Sequence, residues 1–163
     1  MAASPSPRPG YGVDCSVART LELIGERWTM MILRDAFYGV RRFDDFQADL
    51  GVARNILSKR LAGLVDSGIM RKVRYEERPP RYEYRLTEKG RDLIGIVTSL
   101  LAWGDKWESD EPPTRLIHTG CGEAVHAVAA CSECGGAIDA FNLRIDPLPP
   151  IVAERLAERV AGA

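Results

Sequence analysis

Between Phe43 and Leu86 the apolar period changes from helical to alternating, and few folds accommodate that change. Phe43, Phe46 and Leu50 recur at helical steps, with Asp44 and Asp45 in the first turn, where carboxylates favour the positive end of a helix. Gly51 then offers the left-handed-tolerant residue that a tight turn between helices needs. The next helix is expected over residues 53–67, burying Leu57, Leu61, Leu64 and Val65 and ending at Gly68. From Ile69 the period is two: Ile69, Val73 and Tyr75 oppose Met70, Lys72 and Arg74, and Tyr82, Tyr84 and Leu86 alternate in the same way. Two strands joined through residues 76–80 make a hairpin.

Upstream, Val17, Leu21, Ile24 and Trp28 fall at three- and four-residue steps, followed by the denser set Met30, Met31, Leu33, Ala36 and Phe37. Two helices with a break near Glu26 and Arg27 fit this better than one, the second being buried. Helix, helix, turn, helix and basic hairpin is the order of a winged helix-turn-helix, an α+β fold. Thr87 is a good N-cap for a further helix over residues 88–108. Within it Leu93, Val97, Leu100, Gly104 and Trp107 form a heptad-like seam, widened by Ile94, Ile96, Leu101 and Trp103. A long helix apolar on more than one side needs a second subunit to cover it, so a homodimer is expected.

The 163 residues carry a formal net charge of -1, which taken alone argues against a nucleic-acid binder. Residues 53–85 nevertheless hold nine basic side chains against four acidic ones, so one face of the chain is suited to phosphate. On the helix over 53–67, the side opposite the leucines presents Arg54, Asn55, Ser58 and Lys59, all able to bond a base edge or a phosphate. A solvated helix face is the plain alternative. Arg60 lies nearer the buried edge and suits an internal ion pair. On the hairpin, Lys72, Arg74, Arg78 and Arg81 are candidates for the DNA backbone or minor groove, with Glu76 and Glu77 awkward neighbours there.

Residues 15–107 resemble the HxlR-type bacterial winged-helix transcription regulators. The resemblance is carried by CSVARTLELIGERW, WTMMILRDAFYGVRRFDDFQADL, NILSKRLAGLVDSGIM and a wing ending PPRYEYRLTEKG, in that order. It implies a dimer that binds a pseudo-palindromic double-stranded operator and regulates nearby genes, often in response to a small-molecule effector or an oxidant. Many members have Ser then Pro at the start of the recognition helix, where this chain has Ala53 and Arg54. In some relatives the cysteine matching Cys15 senses oxidants; at a helix start the dipole lowers a thiol pKa, although burial as an inert residue is the commoner fate of a lone cysteine.

Beyond Pro112-Pro113, His118-x2-Cys121-Gly122 and Cys131-x2-Cys134-Gly135 form two turns of one shape. Zinc takes four N or S ligands, and two such turns supply them, with His126 as the alternative fourth ligand. A structural zinc in a small β-rich, zinc-ribbon-like appendage is expected; packed cysteines in a metal-free appendage are the alternative. Its core is expected from Val125, Val128, Ile138, Phe141 and Leu143. The organisation read from the chain is a disordered arm over 1–13, a DNA-binding and dimerisation domain over 14–110, the β module over 114–146 and a tail over 147–163.

The longest apolar run, residues 93–104, is short of the roughly 20 residues of a membrane helix. Nothing at the start of the chain resembles a secretory signal, so a cytoplasmic address is expected. No base stands near Cys15 in sequence to make it an enzyme nucleophile, and neither an enzyme nor an organic cofactor is expected. Rival readings are a winged-helix protein-interaction module and a thiol- or metal-responsive sensor whose output is DNA binding.

Overall fold

The computed structural model describes residues 10–11 and 15–161, so most of the expected arm lies outside the described residues. Helices α1 (Ser16–Ile24) and α2 (Thr29–Phe37) are parted by residues 25–28, where the break was expected. Trp28 stands at the start of α2 with φ 78°, a left-handed conformation that costs a non-glycine residue about 1–2 kcal/mol. Its side chain packs against the core, which offsets that cost. Helix α3 (Phe43–Leu50) ends at Gly51 with φ 60°, whose N–H bonds the Gln47 carbonyl at 3.0 Å before the chain turns into α4 (Arg54–Asp66). Ile32, Leu33, Phe46, Leu57, Leu61 and Leu64 from α2, α3 and α4 close one core, joined by Ile69 and Met70.

Strands β1 (Met70–Glu76) and β2 (Arg81–Leu86) pair antiparallel from Met70↔Leu86 to Glu76↔Arg81, with an irregularity between Arg74 and Glu76. The residues before α3 add a further rung: Arg42 bridges Glu83, and the Tyr84 N–H bonds the Arg41 carbonyl at 2.7 Å. That rung ties the start of α3 to the hairpin. Inside α2, Asp35 is buried and accepts from Arg34 Nε at 2.8 Å, while Arg34 also reaches Asp49 of α3 at 3.0 Å. Burial pushes the Asp35 carboxyl above its usual range, against the pull of the Arg34 guanidinium.

The single helix expected over residues 88–108 is two. A short α5 (Glu88–Arg91) is followed by α6 (Ile94–Trp107). The cause is local. Thr87 caps α5 by accepting the Gly90 N–H at 3.1 Å and donates to the Gly68 carbonyl at 2.7 Å, while Gly90 sits so close to Ile69 that a Cβ there would lie 2.1 Å from its carbonyl oxygen. With that turn pinned to the start of β1, the chain tightens at Asp92 and Leu93, whose N–H bonds Gly90 at 3.2 Å, before α6 begins.

The expected seam divides on α6. Leu93 and Val97 pack against the protein's own core and Gly104 is half-buried. The apolar surface left outward includes Ile94 and a stripe of Ile96, Leu100, Trp103 and Trp107, the stripe again at steps of four, three and four, with Leu100, Trp103 and Trp107 all more than half exposed.

Two compact units divide after His126. The first closes with a small antiparallel hairpin, β3 (Leu116–Ile117) and β4 (Ala124–Val125). The second holds an isolated bridge between Ala130 and Ala137 and the helix α7 (Pro150–Ala161). The apolar set expected to form the appendage core does not form one: Phe141 is 98% exposed, Val128 and Leu143 are exposed, and of the set only Ile138 is half-buried in this unit. The Asp139 carboxylate accepts the N–H groups of Phe141 and Asn142 at 2.7 and 3.0 Å, and that turn leaves the Phe141 ring in solvent. Among the described residues no helix is long and apolar enough to cross a membrane.

Candidate nucleic-acid interface

Helix α4 buries Leu57, Leu61 and Leu64 and leaves Arg54, Asn55, Ser58 and Lys59 exposed on the other side. The 3.6-residue period sets this division, because the leucines at i, i+4 and i+7 claim one face for the core. Arg60 points back inside, pairing with Glu26 at 2.5 Å, as its place near the buried edge implied. Arg54 is engaged within the protein. Its Nη1 donates to Asp44 Oδ1 at 2.9 Å and to Gln47 Oε1 at 2.6 Å, and its guanidinium lies 4.7 Å from the Phe43 ring centre. Asn55, Ser58 and Lys59 are the outward-facing polar groups of the first two turns.

The wing is basic, and some of its cations serve its own shape. Arg74 donates from Nε and Nη2 to the carbonyls of Glu76 and Glu77 at 3.2 and 2.8 Å, folding over the loop. Arg81 pairs with Glu76 at 3.2 Å, which accounts for one of the two acids that looked misplaced. Arg78 is exposed in the loop itself. Lys72 projects over the Tyr82 ring, 4.3 Å from its centre.

Between the start of α3 and the hairpin lies an open groove of about 560 Å³, bordered by Arg42, Asp45, Lys72, Tyr75 and Tyr82. Arg42 stacks 4.7 Å from the Tyr75 ring centre. Neither Arg42 nor the tyrosines stood out in the sequence, because Arg42 lies outside the basic segment and the tyrosines read as sheet residues. The signal available was the Arg41-Arg42 pair directly before a helix start.

Cys15 is exposed at the N-cap of α1, its carbonyl accepting the Arg19 N–H at 3.0 Å. The metal-ligand candidates fall two and two. In the first unit, His118 Nδ1 stands 3.3 Å from Cys121 Sγ, and the turn is closed by the Gly122 N–H on the His118 carbonyl at 2.8 Å. In the second, the Gly135 N–H closes a like turn on the Cys131 carbonyl at 2.9 Å. There the N–H groups of Cys134 and then Glu133, together with the Cys134 thiol, hold the Cys131 thiol below its ordinary range. Each turn gathers two donors; among the described residues no group of three or more His, Cys, Asp or Glu is placed to hold a metal ion. His126 borders a groove of about 360 Å³ beside α6, with Asp105 and Arg115.

The profile of a family described as HxlR-like helix-turn-helix matches residues 23–112. Among curated proteins, the chain is 46% identical over 141 residues to the uncharacterized HTH-type transcriptional regulator Rv3095 of Mycobacterium tuberculosis, a match covering 85% of this chain and 89% of that one. It is 36% identical over 92 residues to the uncharacterized regulator YtcD of Bacillus subtilis, covering 56% and 73%. Among solved structures it superposes on PA1607, a putative transcription factor, with a TM-score of 0.75 and 38% identity over 84% of this chain and 97% of that one. The redox regulator HypR in its reduced form gives a TM-score of 0.55 at 31% identity, covering 58% and 95%.

Proposed function

The chain belongs to the HxlR-like helix-turn-helix family of transcription regulators and is no enzyme, and from that membership we propose that it acts as a homodimer reading a pseudo-palindromic operator. In this reading α4 enters the major groove, where each base pair has a distinct pattern of donors and acceptors, and Asn55, Ser58 and Lys59 meet base edges or phosphates. Lys72, Arg78 and Arg81 of the wing, with Arg42 beside them, meet the backbone or minor groove. The observation that carries the proposal is the polar, outward half of α4 standing beside a basic hairpin whose base is tied to α3. The dimer reading is supported by Ile96, Leu100, Trp103 and Trp107, an exposed heptad-spaced stripe. Two copies joined there would present their recognition helices about 34–36 Å apart, one turn of duplex. Selecting bound duplexes from a random pool tests it: half-sites repeated as inverted copies at about 10–10.5 base pairs are expected, and a pool with no enriched sequence would refute operator reading.

A second part concerns sulfur. HypR is named a redox regulator, and Cys15 is exposed at a helix start. We propose it as a thiol through which an oxidant alters DNA binding. Treatment with peroxide should lower the affinity of the native chain for its selected duplex and leave Cys15→Ser unaffected; equal loss in both would discard Cys15.

The zinc reading stands on ligand spacing and on the donor chemistry of each turn taken separately. A structural zinc would draw imidazole and thiolate, its preferred donors, from His118 with Cys121 and from Cys131 with Cys134. Native mass spectrometry is expected to give one zinc per chain, lost on chelation or in Cys131→Ser. A protein purified with zinc present that carries none would end this reading.

A further inference from the structure

We propose that Arg54 is a positioning residue: it holds the start of α4 against α3 and leaves base reading to Asn55, Ser58 and Lys59. The inference rests on the DNA-binding reading above and deepens it.

A helix start leaves backbone N–H groups without partners inside the helix, and a Ser, Thr, Asp or Asn at the N-cap ordinarily accepts one of them. Here the N-cap is Ala53, which offers no side-chain bond. The Ala53 carbonyl accepts the N–H groups of Ile56 and Leu57 at 3.0 Å each. The first helical residue is a cation, the wrong sign for the positive end of a helix dipole. Taken alone, this is a weak beginning for a helix whose first two turns must be placed against base edges.

Arg54 makes good the deficit through tertiary contacts. Its Nη1 reaches Asp44 at 2.9 Å and Gln47 at 2.6 Å, residues three apart on α3 and so on one face of it. The guanidinium covers the Phe43 ring, which packs against the core. One planar group thereby joins the first residue of α4 to three residues in the first two turns of α3, across the turn at Gly51. The arrangement suits Arg and not Lys, because a planar fork can stack on a ring and bond two acceptors at once. It also places a positive charge against Asp44, a carboxylate beside the groove that the backbone would approach. Nη1, one of the two nitrogens of the end-on fork that reads a guanine, is already committed to both acceptors.

The test is a double-variant cycle with Arg54→Ala, Asp44→Ala and both together. Both positions of change are exposed, so the chain should fold in every case. The probe is the duplex that the native protein selects from a random pool, measured against a scrambled duplex of equal length. Reading the ratio of the two affinities cancels the general gain from removing the Asp44 charge. The expected result is a roughly threefold to tenfold fall in that ratio for each single variant and no further fall for the double, since coupled residues are not additive. A base-reading Arg54 would give a fall in Arg54→Ala with the ratio intact in Asp44→Ala, and that outcome overturns the proposal. Amide exchange at Ile56 and Leu57, read without DNA, should quicken several-fold in both single variants. Unchanged exchange in Arg54→Ala also overturns it. A native chain with no sequence preference would refute the DNA reading alone, because the exchange result still decides what Arg54 does.

Discussion

Leu100→Glu is expected to turn the protein into folded monomers. Leu100 is 54% exposed in the single chain and makes no part of its core, so a carboxylate there meets water in the monomer. In a dimer sealed along Ile96, Leu100, Trp103 and Trp107 the same carboxylate would be buried without a partner, twice over by symmetry. That costs several kcal/mol per charge, enough to raise the dissociation constant by orders of magnitude. Trp103→Glu should behave alike. Val97→Glu is the control with a different fate: Val97 packs against the chain's own core, so its replacement should lower the melting temperature of the chain itself by a destabilisation of about 2–4 kcal/mol. Light scattering with thermal melting separates the two. A Leu100→Glu protein that keeps dimer mass would move the interface off α6, and loss of operator binding with the monomer intact would tie reading to dimerisation.

The second large effect lies on α4. Asn55→Ala should weaken binding to the selected operator by about 1–3 kcal/mol and relax preference at one base position per half-site. Lys72→Ala on the wing should weaken every duplex alike and flatten the dependence of affinity on salt by about one unit of slope, the signature of one lost phosphate contact. Arg74 is not the residue for that comparison, since its guanidinium bonds the Glu76 and Glu77 carbonyls and its loss would reshape the loop. Titration of operator and scrambled duplexes at several salt concentrations checks both. If Asn55→Ala and Lys72→Ala weakened all duplexes equally, α4 would be a backbone contact, and if neither changed DNA binding, the basic hairpin would be better read as a surface for an acidic protein partner.

Much of the fold was legible because its determinants are local. The steps of Leu57, Leu61 and Leu64 orient α4 before any neighbour is known, the alternation from Ile69 to Leu86 yields the hairpin, and Gly51 marks the turn between α3 and α4. The exposed faces follow from the same periods, so Asn55, Ser58 and Lys59 could be named from the chain alone.

What remained undecided depended on partners distant in sequence. A helix apolar on nearly every side carries no mark of which stripe meets its own core; the packing of α2 and of the core on α6 settled that, turning Leu93 and Val97 inward and leaving Ile96, Leu100, Trp103 and Trp107 out. The split into α5 and α6 came from the close approach of Gly90 to Ile69, 21 residues earlier, which no helical period records. Arg54 looked like any exposed cation of a recognition helix until α3 brought Asp44, Gln47 and Phe43 beneath it. Periodicity is a property of neighbouring residues and can be read from sequence; the choice among equivalent faces, and the partner of a charged side chain, belong to the packing of one element on another.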